Sequence, residues 1–186
     1  MVCTPIFFRL YFACLACGLS SFVPFVHLAP FARDLNMDAA SASALIALIG
    51  AGSTAGRFLL GSVADGLGRD RFLTATYVAM ALAMGLWAIA STSTALIIFA
   101  LVYGVVYGGW VAVLPSVVAD RFGTAKLSGV MGLLYTSVAI GMLVGPVAAG
   151  LLYDATESYR LAIVAGLSAN LAAAVIAAKD SVKISQ

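Results

Sequence analysis

Six apolar runs, each about 20 residues long, constrain this chain more than any other feature of its sequence. They cover residues 8–30, 42–64, 72–90, 95–119, 127–152 and 159–178. A helix needs about 20 apolar residues to cross the hydrocarbon core of a bilayer. Because 63% of the residues are apolar and only 10% are charged, a soluble fold could not cover this surface. The sequence therefore predicts an all-α membrane protein with six transmembrane helices.

The remaining composition excludes several classes of function. The net charge is only +2 and the chain has no basic run, so nucleic acid is not an expected partner. Cys3, Cys14 and Cys17 lie in or beside the first run, and with a single histidine in the chain we expect them to be packing residues. No nucleophile–base set, phosphate loop or metal-ligand spacing is present. We therefore expect no enzyme activity, no cofactor and no metal.

A compact charged turn follows the second apolar run. Its glycines allow the chain to reverse sharply, and its aspartate can accept hydrogen bonds from a neighbouring helix N-terminus. Its two arginines favour the cytoplasmic side. The turn resembles the loop signature of the major facilitator superfamily, and the residues that carry this resemblance are Gly61, Asp65, Gly68, Arg69 and Arg71.

The distribution of basic residues predicts an orientation. If the charged turn is cytoplasmic, only Arg33 and Arg160 lie outside, and Arg57 lies within a run. The other basic residues then lie on the cytoplasmic side, as the positive-inside rule requires: Arg9, Arg69, Arg71, Arg121, Lys126, Lys179 and Lys183. We expect a multi-pass protein of the plasma (inner) membrane with both termini in the cytoplasm.

An internal repeat relates the two halves of the chain. A shift of 89 residues carries one set of five residues onto another with the same spacing: Gly52, Gly56, Gly61, Asp65 and Arg71 onto Gly141, Gly145, Gly150, Asp154 and Arg160. The two sets follow helices that cross in opposite directions, as in a three-plus-three inverted repeat. The repeat units are then about residues 8–91 and 95–178 of a single bundle, 1–186. A chance match in a glycine-rich chain is the alternative.

Arg57 is the one charged residue well inside an apolar run, since Arg9 and Arg160 lie at the starts of theirs. An arginine at the centre of a membrane helix costs about 2.5–3.5 kcal/mol on insertion scales. It could reach the headgroups by snorkelling, or it could bind an anion with two parallel hydrogen bonds. No Asp or Glu lies inside any of the six runs. We therefore favour the second interpretation, in which the substrate supplies the missing negative charge.

Other residues are candidates for the substrate path. Tyr103 and Tyr107 are four residues apart and share a helix face, where their hydroxyls could bind a carboxylate or their rings could pack. His27 could gate the path or relay protons, or could be an interfacial anchor. A packing and hinge segment is expected in the fifth helix, formed by Gly141, Gly145, Pro146 and Gly150.

A wider resemblance covers residues 8–178. Its motifs are Arg57-x-x-x-Gly61-x-x-x-Asp65, Tyr103-Gly104-x-x-Tyr107-Gly108 and Gly145-Pro146-x-x-x-Gly150-x-x-x-Asp154. Together they resemble the C-terminal half of monocarboxylate-transporter-like facilitators, which are akin to oxalate/formate antiporters. The resemblance implies that Arg57 contacts the substrate anion. Animal members place a proton-coupling aspartate one turn earlier, where this chain has Ser53, so anion exchange stays open beside proton symport.

The sequence thus indicates half of a transporter that moves a small organic anion, in particular a monocarboxylate, by alternating access. Its expected partners are the lipid bilayer, the anion and a second six-helix half, between which the substrate would bind. One alternative is a truncated or transport-incompetent fragment that acts only through helix–helix interaction. Another is a facilitator for a different solute, such as a drug exporter, although a cation exporter would favour an intramembrane acid.

Overall fold

The computed structural model describes residues 4–181, so Cys3 and Lys183 lie outside the described residues. This part of the chain is helical apart from short connections. Its helices are α1 (Pro5–Ser21), α2 (Val23–Asp34), α3 (Ala39–Leu59), α4 (Gly61–Leu67), α5 (Arg69–Ile89), α6 (Ser93–Phe122), α7 (Leu127–Thr156) and α8 (Arg160–Ser181). A single 3₁₀ turn (Thr124–Lys126) joins α6 to α7.

Six of these segments are long and apolar enough to cross a membrane, which confirms the predicted number of spans within the described residues. Span 1 consists of α1 and α2 together, and spans 2 to 6 are α3, α5, α6, α7 and α8. Local capping explains several helix starts. Thr4 and Thr92 accept hydrogen bonds from the backbone N–H groups at the starts of α1 and α6, and Asp38 does so at α3.

Two of the spans are interrupted. Span 1 breaks at Phe22, two residues before Pro24, which has no N–H to continue the helical hydrogen bonds. Pro30 lies inside α2 without a break. At the end of span 2 the chain breaks at Leu60, and Gly61 begins the short helix α4. The break at Leu60 lies between Arg57 and the charged turn, both of which are described below.

The packing of the spans follows a two-fold pattern. Neighbouring spans are packed in the order 2–4–3–6–1–5, with spans 1 and 2 and spans 4 and 5 also in contact. Exchanging span 1 with 4, 2 with 5, and 3 with 6 reproduces these pairs. Spans 5 and 6 are also in contact, and the counterpart of that contact is made by the short helix α4, which follows span 2, with span 3. Apart from this difference, the packing is the one that the inverted repeat predicts.

Individual backbone contacts repeat as well. In span 2, a Cβ added to Gly52 would lie 2.8 Å from the carbonyl oxygen of Leu101, beside Gly104. In span 5, a Cβ added to Gly141 would lie 2.7 Å from the carbonyl oxygen of Leu15, beside Gly18. A shift of 86 residues carries Leu15 and Gly18 onto Leu101 and Gly104. The repeat therefore holds at the level of single backbone atoms, where only glycine permits the close approach.

Large aromatic side chains fill the interior. Trp87 and Trp110 are fully buried, so both are packing residues rather than lipid-facing ones. Trp87 stacks on Phe99 with ring centroids 5.2 Å apart. Cys14 and Cys17 are buried free thiols in α1, as expected for packing residues.

Candidate functional site

Arg57 lies in the last turn of α3 and its side chain is exposed. It follows Gly56, whose backbone packs directly against Val105 of α6, so the two helices are close at this level. No carboxylate forms an ion pair with Arg57 in the described part of the chain. The guanidinium is therefore presented at the surface of span 2 without an acidic neighbour.

Tyr107 is the predicted site residue on which Arg57 exerts an electrostatic effect. It is partly buried on α6, and the charge of Arg57 acts on its phenol group. Its ring is held by three neighbours: Tyr103 lies parallel at 6.4 Å, Trp110 stacks at 6.0 Å, and Phe25 meets it edge-on at 5.7 Å. The structure thus brings Arg57 and a rigidly held tyrosine together at the junction of spans 2 and 4.

Spans 1 and 5 present further hydroxyl groups. Tyr135 of span 5 is exposed and interacts electrostatically with Tyr107. The hydroxyl groups of Tyr11 in span 1 and Thr136 in span 5 are 3.3 Å apart. We call the surface formed by spans 1, 2, 4 and 5 around Arg57 the polar face.

Spans 3 and 6 present a different surface. Between their charged ends, the exposed large side chains are aliphatic: Val78, Leu82, Ile89, Leu161, Val164, Leu171 and Val175. Such a surface suits lipid tails, whereas an exposed arginine and two tyrosines need water or a polar partner. Spans 2 and 5 also expose aliphatic groups, including Leu143.

Tyr103 and His27 take different positions from Tyr107. Tyr103 is fully buried, and its hydroxyl donates a hydrogen bond of 3.0 Å to the carbonyl oxygen of Ser21 at the break in span 1. His27 lies in α2, where its Nε2 is 2.9 Å from the carbonyl oxygen of Pro146. Since a carbonyl oxygen only accepts, Nε2 carries the proton. Direct substrate contacts by these two residues stay predictions.

The predicted hinge segment packs against span 1. Gly141 and Gly145 of α7 lie directly against the backbone of Leu19. A Cβ added to Gly150 would lie 3.8 Å from the ring of His27. Pro146 lies inside α7, which continues through it without a break, so movement at this segment stays a prediction.

The charged turn forms an ion-pair network. Asp65 accepts from Arg69 Nε at 3.1 Å rather than from a helix N-terminus, which was the expected donor. Arg69 also donates to both carboxylate oxygens of Asp120 at the end of α6, at 3.0 and 3.1 Å. Nearby, Arg121 pairs with Asp70 at 2.7 Å, and its side chain is only 5% exposed. The network joins the ends of spans 2, 3 and 4.

The glycines of the turn act through the backbone. Gly68 has a φ of +88°, a conformation that L side chains rarely adopt, and it connects α4 to α5. Gly61 has open space around its Cα, so its role is to begin α4 after the break and not to admit a neighbouring helix. Arg71 is exposed on α5.

The sequence reasoning missed two features. Asp120 and Arg121 were interpreted only as the end of the fourth span, although they are the partners of the charged turn. Asn170 was not singled out, yet it is fully buried in α8 and donates a 2.7 Å hydrogen bond to Ser20 Oγ. A lone amide inside an apolar run was the available signal, since such groups bond across membrane helices.

Six apolar helices in an inverted repeat, with a charged turn after the second, define a multi-pass membrane protein of the transporter type. The sequence model of the Major Facilitator Superfamily matches residues 10–181, so the chain belongs to the major facilitator superfamily. Its members are transporters rather than enzymes.

Individual relatives agree with this assignment. Monocarboxylate transporter 13 of Rattus norvegicus is 29% identical over 168 residues, covering 88% of this chain and 39% of the relative. Monocarboxylate transporter 10 of the same species is 30% identical over 159 residues, covering 83% of this chain and 31% of the relative. The MFS-type transporter pynF of Aspergillus niger is 30% identical over 135 residues, or 72% of this chain and 31% of the relative. The chain therefore spans well under half the length of these relatives.

Proposed function

We propose that this chain is one half of a transporter that moves a small organic anion, in particular a monocarboxylate, by alternating access. The observation that carries the proposal is Arg57, an exposed guanidinium on the polar face with no acidic partner among the described residues. A carboxylate fits this group because it accepts two parallel hydrogen bonds from one guanidinium. Two relatives that carry monocarboxylate in their names support the same substrate class.

Tyr107 is the second member of the proposed site. Its ring is fixed by Trp110 and Phe25, so the phenol is held in place beside Arg57 at little further entropic cost. A hydroxyl in this position could donate to the carboxylate oxygen that Arg57 leaves free. We assign Tyr103 a supporting role, since its own hydroxyl is already bonded to Ser21.

A second six-helix half is the proposed partner of the polar face. The chain covers only 39% and 31% of the monocarboxylate transporter relatives, and the substrate of such transporters binds between two halves. The half could belong to the same polypeptide or to a separate chain. An immunoblot of the native membranes would measure the size of the product: about 19 kDa indicates a separate half, and about twice that mass a joined one.

The orientation follows from the same proposal. With the charged turn in the cytoplasm, the basic residues obey the positive-inside rule and the polar face opens to either side in turn. Access of an impermeant reagent to cysteines introduced at Asp65 and at Asp38 would test it. Reaction from outside at position 38 and not at position 65 is expected.

The substrate proposal is tested by replacing the guanidinium. We expect Arg57→Ala to abolish carboxylate uptake in membranes that contain the assembled transporter, and Arg57→Lys to retain part of it, because the charge survives without the two-pronged geometry. Arg33→Ala, which removes an exposed arginine at the other end of the bundle, is the matched control. Undiminished uptake by Arg57→Ala would refute the binding role.

Transport of a different solute, as by a drug exporter, is the competing function, because the MFS-type transporter pynF and the aspyridones efflux protein apdF of Emericella nidulans are also relatives. The apdF protein is 31% identical over 128 residues. In that case, transport should be insensitive to Arg57→Ala and should not be inhibited by short carboxylates. The uptake experiment therefore distinguishes the two substrate classes.

A further inference from the structure

Two hydrogen bonds from neighbouring spans end at the break in span 1. Tyr103 of α6 donates to the carbonyl oxygen of Ser21 at 3.0 Å. Asn170 of α8 donates through Nδ2 to Ser20 Oγ at 2.7 Å. All four residues are completely buried. The last two residues of α1 are thus tied to span 4 from one side and to span 6 from the other.

The other repeat has no copy of this arrangement. A shift of 86 residues places Trp110 at the position of Pro24, and α6 continues through it as one unbroken helix. A shift of 89 residues places Ala81, a buried apolar residue, at the position of Asn170. The break is therefore special to span 1 and the buried amide to span 6, although the surrounding backbone contacts are shared.

The buried amide is bonded at one end only. Asn170 Oδ1 has no hydrogen-bond partner among residues 4–181, although the amide is enclosed by the bundle. A buried acceptor without a partner is unfavourable, so the remaining Nδ2 bond to Ser20 is the one that orients the side chain. That bond joins α8 to the break and to no other part of span 1.

The break also connects to the proposed anion site. Tyr103 lies parallel to Tyr107 with an interplanar angle of 6°, and the charge of Arg57 acts on the Tyr107 phenol. Beyond the break, α2 is held to span 5 by the contact of His27 with the carbonyl oxygen of Pro146. A shift of the Tyr107 ring on anion binding would therefore reach the end of α1 through Tyr103, and α2 through Phe25, whose ring centroid lies 5.7 Å from that of Tyr107.

We infer that the break is a hinge at which α2 moves relative to α1, and that Tyr103 and Asn170 are positioning residues that set the angle of α2. The inference rests on the proposed function, since the signal that moves the hinge is an anion at Arg57 and Tyr107. Loss of either bond loosens the end of α1 from which α2 continues, and it removes neither of the two groups proposed to bind the anion. Because anion binding and hinge movement are linked, we expect a large change in the rate of the conformational change and a smaller change in anion affinity.

Hydrogen exchange of the full chain in lipid nanodiscs tests the hinge directly. Tyr103→Phe keeps the ring and removes the hydroxyl, and Ser20→Ala removes the acceptor of the Asn170 bond. Each should accelerate backbone exchange in α2 about fivefold, the factor expected from losing one neutral hydrogen bond, and leave α3 and α5 unchanged. Tyr135→Phe and Ser168→Ala remove the same groups elsewhere and should leave α2 unchanged.

Uptake kinetics supply the second measurement. In the assembled transporter, Tyr103→Phe and Ser20→Ala should change the maximal rate at least threefold and keep the KM for the carboxylate within twofold. Unchanged exchange in α2 in both variants would overturn the hinge, and so would equal acceleration in α3, α5 and α7, which indicates a purely structural role. If the unaltered protein transports no carboxylate, the proposed function fails while the exchange experiment still decides the hinge.

Discussion

The two ends of the bundle are built from the same repeat but are held together differently. At the signature end, which carries Asp65, Arg69 and Asp120, one arginine bridges two carboxylates. At the opposite end the corresponding carboxylates are Asp154 and Asp34, related by shifts of 89 and 86 residues. Neither forms an ion pair in the part of the chain that the structure describes.

The difference lies in the cations. The position equivalent to Arg69 is Ser158, and the position equivalent to Arg121 is Leu35. The opposite end therefore has the two acids and lacks the arginines that would join them. Asp34 accepts a 3.5 Å hydrogen bond from the hydroxyl of Tyr153. The ring of Tyr153 stacks on that of Tyr159, with ring centroids 4.2 Å apart.

Tyr159 remains neutral in this environment. Burial raises the pKa of its phenol, and the neighbouring Tyr153, Asp34 and Asp154 raise it further. Stacked aromatic rings slide past one another more easily than bidentate ion pairs separate, because ring contacts depend less on direction. The comparison suggests a rigid signature end and a compliant opposite end, which is also where α2 and its hinge are found.

The largest loss of stability is expected at the glycine contacts that the two repeats share. Gly104→Leu and Gly18→Leu should each destabilise the bundle by about 3 kcal/mol or more, because the added side chain meets a backbone that cannot move aside. Gly50→Leu is the control, since nothing lies within 4 Å of a Cβ at that position. The midpoint of thermal unfolding in detergent measures the effect. A tolerated leucine at either site would show that the repeat does not govern packing there.

Smaller losses of stability, which differ between the two ends of the bundle, are expected for their acidic and basic residues. Arg121→Ala leaves Asp70 partly buried without its ion-pair partner and should cost about 3 kcal/mol. Asp34→Asn, at the opposite end, should cost less than about 1 kcal/mol because an amide oxygen still accepts the Tyr153 hydrogen bond. Equal losses in the two variants would remove the proposed difference in rigidity.

The smallest effect comes from restoring the missing cation. Ser158→Arg should place a guanidinium between Asp154 and Asp34, add about 0.2–1 kcal/mol of stability and slow transport. Ser158 Oγ also accepts from the backbone N–H of Arg160, and the substitution removes that bond. Ser158→Arg in an Asp34→Asn background separates the contribution of the new ion pair with Asp34 from that of the lost hydrogen bond to Arg160. If slowing persists there, the new arginine does not act through Asp34.

Much of this architecture could be predicted because it depends on local composition. The six spans follow from long apolar runs, and the repeat follows from glycines whose spacing is retained. The structure extends the fourth and fifth spans to Ser93–Phe122 and Thr124–Thr156, beyond the predicted ends. Helix ends are less certain from sequence because polar residues near the interface can continue a helix.

The missing parts depend on contacts between distant residues. Hydropathy could not show that Arg69 pairs with Asp120, or that Asn170 bonds to Ser20 across 150 positions of the chain. It also could not show that Tyr103 turns inward while Tyr107, on the same helix face, remains partly exposed. These outcomes are set by how the spans pack, and not by the run in which each residue lies.

The lone charge of Arg57 has an electrical consequence. Since no acidic residue among those described pairs with Arg57, the proposed site carries one positive charge when empty, and under the proposed function a bound monocarboxylate would neutralise it. The charge that this half contributes to the site would then be zero in the loaded state, whereas the empty state would respond to the membrane voltage. A full elementary charge gains about 2.3 kcal/mol per 100 mV, so even partial movement through the field would make the return step voltage-dependent.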